Sequence, residues 1–329
     1  MSVVTIRDIA EATGLSSGTI SRALKNQAGM TEATRNKVRD AALRLGYDFS
    51  QLRKTRIRRI AFLLHSQHNT LASTPFYSPV LHGAEQACRR EAISLSFNIV
   101  DPAESVTEQI RRHQADALFC AGFFEPEVLS VLKQTGKPLV LVDIQRRGFT
   151  SVNPDNALGG YLATRHLLRS GRRRIALLSG SPAHFSIQQR ERGFRRALFE
   201  AQVHADPELE VIVPNLGEGD EAVTAAMSRL LALPKPPDAV VAYNDSTALV
   251  AMKHCLTAGL RVPQDIAFVG FDDIIGAATA APPLSTVRVD KEALGAAGVD
   301  LLLRHKPEDT PVEITLPVEL IVRESSCAE

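Results

Sequence analysis

Ser17, Gly18, Ser21, Arg22 and Lys25 fall on one side of a short amphipathic stretch whose other side carries Ile20, Ala23 and Leu24. A helix with a small, hydroxylated and basic outer face can approach the edges of base pairs closely. A guanidinium such as that of Arg22 can pair with both acceptors of a guanine in the major groove. The same spacing would also serve the solvated face of a small helical bundle. A second group of polar residues ends apolar runs: Asp143 closes LVLVD, Asn244 and Asp245 close VVAYN, and Asp272 and Asp273 close FVGFDD. Singly, each could cap a helix, and Asp245 before Ser246 suits that role. Together they are acceptors and amides suited to the hydroxyls of a polyol or sugar. Phe76 and Tyr77 offer a flat ring surface for such a ligand or a base, or could pack beneath the following helix. No GxSxG elbow between a strand and a helix is present, nor a GxxxxGK[ST], HExxH or GxGxxG pattern, and no enzyme chemistry is expected.

The basic helix needs a partner to form a turn. Thr5 with Asp8 reads as a capping box, and Ile6, Ile9 and Ala10 recur at helical spacing. Gly14 breaks this first helix, and Ser16 or Ser17 can cap the next. Thr31 caps a third helix over 32–45, with Val38, Ala41, Ala42 and Leu45 on its packing side and Gly46 at its end. Three helices in fewer than fifty residues make an all-α, helix-turn-helix unit. The segment DFSQLRKTRIRR, 48–59, is dense in Lys and Arg and reads as either a solvated linker or a phosphate-contacting connector, with Arg53 among its cations.

Beyond residue 59 the period changes. Apolar strand-like runs at 60–65, 93–100, 117–122, 138–143, 174–180, 209–215, 238–244 and 265–273 alternate with helical stretches. This alternation predicts parallel sheets with helices on both faces, in two similar α/β subdomains. Ligands of such folds sit at the carboxyl ends of the strands, so a cleft between the subdomains is the expected pocket.

Charge divides along the same line. Residues 1–60 hold 12 Lys/Arg against 5 Asp/Glu, while 61–329 hold 26 against 32. A basic first part on a mildly acidic body suits a polyanion bound by that part alone. The four cysteines are scattered, indicating neither a disulfide framework nor a metal site. Neither a signal-like apolar core nor a bilayer-length run is present, so a cytoplasmic protein without membrane contact is expected.

Taken in order, TIRDIAEATGLSSGTISRAL, TEATRNKVRDAALRLGY, PFYSPVLHGAEQA, GGYLATRHLLRSGRRRIALLSG, QQRERGFRRAL, NDSTALVAM, VPQDIAFVGFDD and LPVELIVRES resemble the LacI/GalR family of bacterial transcription regulators over essentially the whole chain. The resemblance implies a helix-turn-helix unit at 1–47, a hinge at 48–58 and a periplasmic-binding-protein-like core of two doubly wound parallel-sheet subdomains at 59–329. The first subdomain would take about 59–157 and 290–316, the second about 158–289 and 317–329. It also implies a homodimer, a repressor in the sense of the family, on double-stranded operator DNA, with a small effector, most often a sugar, and no cofactor. Thr5, Ser16, Thr31 and Thr34 match phosphate-holding positions; Ser17, Gly18, Ser21 and Arg22 match the recognition helix, followed by Lys25. Arg190, Asn244 and Asp272 match effector contacts, and Phe76, Tyr77 and Asp143 fall near such contacts. The family's hinge carries an apolar wedge for the minor groove; here the connector is about four residues shorter and offers Leu52 in that place. The loop HSQHNTLASTPFY is longer than usual. No leucine heptad follows the last strand, so a tetramer built on a coiled coil is not expected. The rival reading is a sugar-binding or transport protein without a regulatory role.

Overall fold

The computed structural model describes residues 4–24, 29–47, 57–66, 75–101, 104–213, 220–304 and 309–327. The chain forms two compact units, Met1–Ile57 and Arg58–Glu329. The segments around Lys25, Leu52 and Arg53, and most of the hinge, lie outside the described residues.

The first unit consists of α1 (Ile6–Thr13), α2 (Ser17–Leu24) and α3 (Glu32–Leu45). Asp8 accepts from the backbone N–H and the hydroxyl of Thr5, at 2.7 and 2.8 Å, which secures the first turn of α1. Gly14, at φ 70°, lets the chain leave α1 in the left-handed conformation that a side chain disfavours. Ile9, Ile20, Ala23, Val38, Ala41, Ala42 and Tyr47 form the core. Leu45, expected on the packing side, is exposed, and the Tyr47 ring fills the core instead. The Gly46 turn at φ 75° reverses the chain and swings Tyr47 back under α3.

The second unit is built on two six-stranded sheets. In the first, β1 (Arg59–His65), β2 (Ser94–Val100), β3 (Ala117–Ala121), β4 (Leu139–Val142), β5 (Thr150–Pro154) and β11 (Glu313–Leu316) lie in the order β11-β5-β4-β3-β1-β2, all parallel. In the second, β6 (Ile175–Ser179), β7 (Glu210–Ile212), β8 (Ala239–Ala242), β9 (Ala267–Asp272), β10 (Ser285–Val289) and β12 (Val318–Ile321) lie in the order β12-β10-β9-β8-β6-β7. Only β12 runs antiparallel to its neighbour. The two orders are the same pattern repeated. In each, the strand order reverses beside the first strand, where doubly wound sheets leave a crevice at their carboxyl ends. Central strands such as β3 and β6 are buried along their whole length, as a sheet covered on both faces requires.

Helices α4 (Tyr77–Arg90), α5 (Val106–Arg112), α6 (Pro126–Gln134) and α12 (Lys291–Arg304) serve the first sheet. Helices α7 (Asn156–Arg169), α8 (Phe185–Glu200), α9 (Asp220–Leu231), α10 (Asp245–Thr257) and the short α11 (Ile275–Thr279) serve the second. The chain passes between sheets after β5, after β10 and after β11. The α7–α8 contact is so close that a Cβ on Gly160 would lie 2.1 Å from the carbonyl oxygen of Arg190. The expected two-subdomain α/β core is thus what forms. The strands β5 and β10 were not anticipated: TSVNP and STVRV are short and partly polar, and become strands by pairing with β4 and β9.

Candidate functional site

On the helical unit, the hydroxyls named from the sequence all lie at helix starts. Thr5 caps α1; Ser16 accepts from the Thr19 N–H at 3.1 Å and so caps α2; Thr31 accepts from the Thr34 N–H at 3.3 Å and caps α3. Thr34 shares a 2.8 Å hydrogen bond with Thr31. Helix starts present unpaired backbone N–H groups and a positive end, a setting suited to anions. Thr5, Arg7, Ser17 and Tyr47 border one open depression with Ile6. On α2, Ser17, Gly18 and Arg22 are exposed and Ser21 is half-buried. The Arg22 guanidinium folds back to the Gly18 carbonyl at 3.4 Å, and a Cβ on Gly18 would meet the Ser16 hydroxyl at 3.8 Å, an ordinary contact.

In the second unit, residues from both sheets meet at the carboxyl ends of the strands. Arg190, on α8, is buried. Its Nε donates to Asn156 Oδ1 at 2.9 Å, Nη1 donates to the Tyr243 carbonyl, and Nη2 lies 3.4 Å from Asp272 Oδ1. The guanidinium lies 3.7 Å from the centre of the Phe271 ring. From the first sheet, Tyr77 at the start of α4 donates its hydroxyl proton to Asp143 Oδ2 at 3.0 Å. Phe76 packs edge-on against Tyr77, with ring centres 5.1 Å apart. The residue pair anticipated in a loop therefore opens α4, and Tyr77 carries the polar contact.

The backbone here departs from the ordinary. Asp143 (φ 60°), Asp272 (φ 108°) and Asp273 (φ 53°) lie in the left-handed half of conformational space, where side chains are disfavoured. Such strain concentrates at binding sites and is held by the surroundings. Asp273 is clamped by Arg288 and Arg323, each at 2.7 Å. Although burial opposes it, these hydrogen bonds hold its carboxyl below the usual range.

Electrostatically the cleft holds two carboxylates for one guanidinium. Burial pushes the Asp143 carboxyl up to about 6, with Arg190 and the Tyr77 hydroxyl pulling down and Asp272 pushing up. Burial raises the Asp272 carboxyl too, opposed by Arg190 and Lys291. Burial beside Asp143 and Asp272 lifts the Tyr77 phenol well above its ordinary range, so it stays a donor. Among the described residues, Asp143 Oδ1 and Asp272 Oδ1 are buried acceptors without a hydrogen-bond donor.

Asn244 caps α10, its Oδ1 accepting from the Thr247 N–H at 2.8 Å. Asp245 is not the cap. It is fully buried, accepts from Thr286 and from the Ile274 N–H, and carries a carboxyl pushed up to about 8, chiefly by burial. Sequence reasoning did not single out Asn156, Tyr243, Phe271 or Lys291. Of these, Phe271 stands inside the FVGFDD run and could have been noticed; Asn156 follows a strand that had no apolar signal. Across the cleft mouth, Phe123 faces His184, with ring centres 5.0 Å apart.

A family description, bacterial regulatory proteins of the lacI family, matches residues 5–49, and that of a periplasmic binding protein-like domain matches 164–326. An Aliivibrio fischeri protein, the HTH-type transcriptional repressor PurR, is 31% identical over 328 residues, covering 93% of both chains. The chain belongs to the lacI family. A Mannheimia succiniciproducens repressor of the same name is 30% identical over 345 residues, covering 98% of both chains. Among solved structures, the transcriptional regulator CelR in complex with cellobiose superposes with a TM-score of 0.73 at 27% identity, over 98% of this chain and 99% of the other. A LacI family regulator from Enterococcus faecium with bound ribose gives 0.70 at 26%, over 82% and 98%. This lacI-family member is thus a DNA-binding transcription regulator under small-molecule control, and not an enzyme. No helix among the described residues is long and apolar enough to cross a membrane.

Proposed function

We propose that this lacI-family protein is a homodimeric repressor that reads operator DNA with α2 and is switched by a polyhydroxylated molecule, most simply a sugar, held between its two sheets. The observation that carries the effector reading is a pair of buried acceptors contributed by different sheets beside one guanidinium: Asp143 Oδ1, which no donor meets, and Asp272 Oδ1, whose 3.4 Å ion pair with Arg190 lacks hydrogen-bond geometry. A buried acceptor without a donor costs roughly 1–3 kcal/mol, and a hydroxyl donating to each would recover that. One hydroxyl can accept from Arg190 and donate to Asp272, which suits neighbouring hydroxyls on one ring. The relatives solved with cellobiose and with ribose agree in ligand class. The Asn244 amide would add a donor, the Tyr77 hydroxyl oxygen an acceptor, and Phe76 would back the Tyr77 ring.

On the DNA side, Ser17, Gly18 and Arg22 would meet base edges, with Ser21 beside them. Thr5, Ser16, Thr31 and Thr34 would hold phosphates at the helix starts. The domain limits of 1–47, 48–58 and 59–329 belong to this proposal. Because one ligand would bind both sheets at once, its occupancy would favour their closure, and closure is the means by which operator affinity would change. The test is a thermal-shift panel of mono- and disaccharides, with free nucleobases as the opposing arm, followed by operator titration with each hit. Arg190→Ala and Asp272→Ala should abolish the response to a sugar hit and leave operator binding intact. A response kept in both variants, or stabilisation by nucleobases alone, would overturn the reading.

A further inference from the structure

One ammonium joins the cleft to a crossover between the sheets. Lys291 opens α12, the helix that follows β10 and packs on the first sheet. Its Nζ donates to the carbonyl of Asp272, to that of Asp273 at 3.3 Å and to that of Val289 at 3.4 Å. An ammonium has three N–H donors and no acceptor, so three carbonyls satisfy it completely. Two of those carbonyls belong to the consecutive positive-φ residues Asp272 and Asp273. The disfavoured backbone turns both carbonyls to one side, and the charge of Lys291 sits where they converge. The same corner is tied from elsewhere in the second sheet's edge: Arg288 of β10 and Arg323, just after β12, hold the Asp273 carboxylate. The Asp272 carboxylate meanwhile faces Arg190.

We propose that Lys291 is a positioning residue for the effector cleft: it holds the Asp272–Asp273 corner in its strained conformation and couples the Asp272 carboxylate to the β10–α12 crossover. This deepens the cleft reading given under Proposed function and rests on it for the word effector; the mechanical link itself does not. Any shift of α12 relative to the second sheet moves the ammonium, and the corner must follow or lose its support. Conversely, a hydroxyl drawn to Asp272 Oδ1 bears on a backbone held from the crossover. The ammonium also places a positive charge near Asp272, which, with that of Arg190, opposes the rise that burial imposes on that carboxyl.

The experiment uses the full chain without added ligand and follows amide hydrogen exchange in the wild type, Lys291→Met and Lys291→Arg, with thermal unfolding as the control for folding. Two reporter amides lie at the corner: Asp273 N–H, donated to Thr286 Oγ1 at 3.3 Å, and Ile274 N–H, donated to Asp245 Oδ2 at 2.9 Å. A third, Leu294 N–H, donated to the Asp290 carbonyl at 3.0 Å, reports on α12 itself. In K291M the corner amides should exchange about tenfold faster or more while Leu294 keeps its rate, and K291R should restore part of the protection. Unchanged corner exchange, or equal loss at Leu294, overturns the proposal, since the lysine would then serve nothing or only its own helix. If K291M does not fold, Lys291→Gln is read against the same amides. Ribose and cellobiose are then titrated into each variant. A sugar that binds the wild type should bind K291M more weakly. If neither binds the wild type, the sugar reading falls while the exchange result still decides the role of Lys291.

Discussion

Replacing Arg190 with Met tests the electrostatic account of the cleft most directly. Met keeps an apolar stem against Phe271 and removes the guanidinium. Three acceptors then lose their partner: Asn156 Oδ1, the Tyr243 carbonyl and the Asp272 carboxylate. Removing one member of a buried ion pair typically costs about 3–5 kcal/mol, because a charge is left without compensation. The two neutral acceptors account for about 1 kcal/mol each. Asp272 has a way out, since it can take up a proton. Its carboxyl is already raised by burial, and losing Arg190 removes the largest influence that lowers it. A carboxyl raised in the folded state binds its proton more tightly there than in the unfolded chain. Its penalty is therefore present above the folded value and disappears as pH falls towards the ordinary carboxylate range, about 3.9. Urea unfolding of R190M against wild type, followed by far-ultraviolet circular dichroism, should show a loss of about 3–5 kcal/mol at pH 8 that shrinks to about 2 kcal/mol at pH 5. Adding Asp272→Asn should recover part of the loss at pH 8 and little at pH 5, a coupling expected only of groups in contact. A loss below about 1 kcal/mol that does not vary with pH, or no recovery by D272N, would refute the reasoning.

Other predictions follow from the same geometry. Because Asp143 is pushed up to about 6, a sugar hydroxyl donating to its Oδ1 should bind with constant affinity from pH 7 to 8. Affinity should weaken by up to about tenfold per unit below pH 6 in calorimetric titrations, and a flat profile would remove Asp143 from the contact set. Gly160→Ala would set a Cβ 2.1 Å from the Arg190 carbonyl; forcing α7 and α8 apart should cost about 1–3 kcal/mol in urea unfolding and displace the guanidinium. Arg22→Ala should weaken cognate operator binding by about 1–3 kcal/mol and relax preference at one base pair. Fluorescence anisotropy on cognate and scrambled duplexes checks it, and equal loss on both would make Arg22 a phosphate contact. If the short connector does not wedge into the minor groove, operator bending measured by circular permutation should be slight, whereas a strong central bend would argue for an inserted side chain.

Much of the architecture is local in origin and therefore legible along the chain. The caps at Thr5 and Thr31 and the left-handed turns at Gly14 and Gly46 are set by the chemistry of neighbouring residues. Runs such as RIAFLLH and ALFCA are apolar on both faces, which only a covered sheet can bury. The order of motifs and the basic first sixty residues then specify the family and the kind of polymer it meets. Tertiary structure decided the rest. TSVNP and STVRV are strands because their neighbours supply the ladder, not because their own residues demand it. Whether Asn244 or Asp245 caps α10 depends on backbone angles and burial that adjacent, chemically similar residues cannot announce. The pairing of Tyr77 with Asp143 spans 66 residues, and Arg190 reaches Asp272 from a different helix. Those contacts exist only once each sheet has gathered its own helices and strand ends, and the buried carboxylates they bring together give the cleft its chemistry. Lys291 shows the limit most plainly: on the chain it is an ordinary first residue of a helix, and only the fold surrounds its ammonium with three carbonyls.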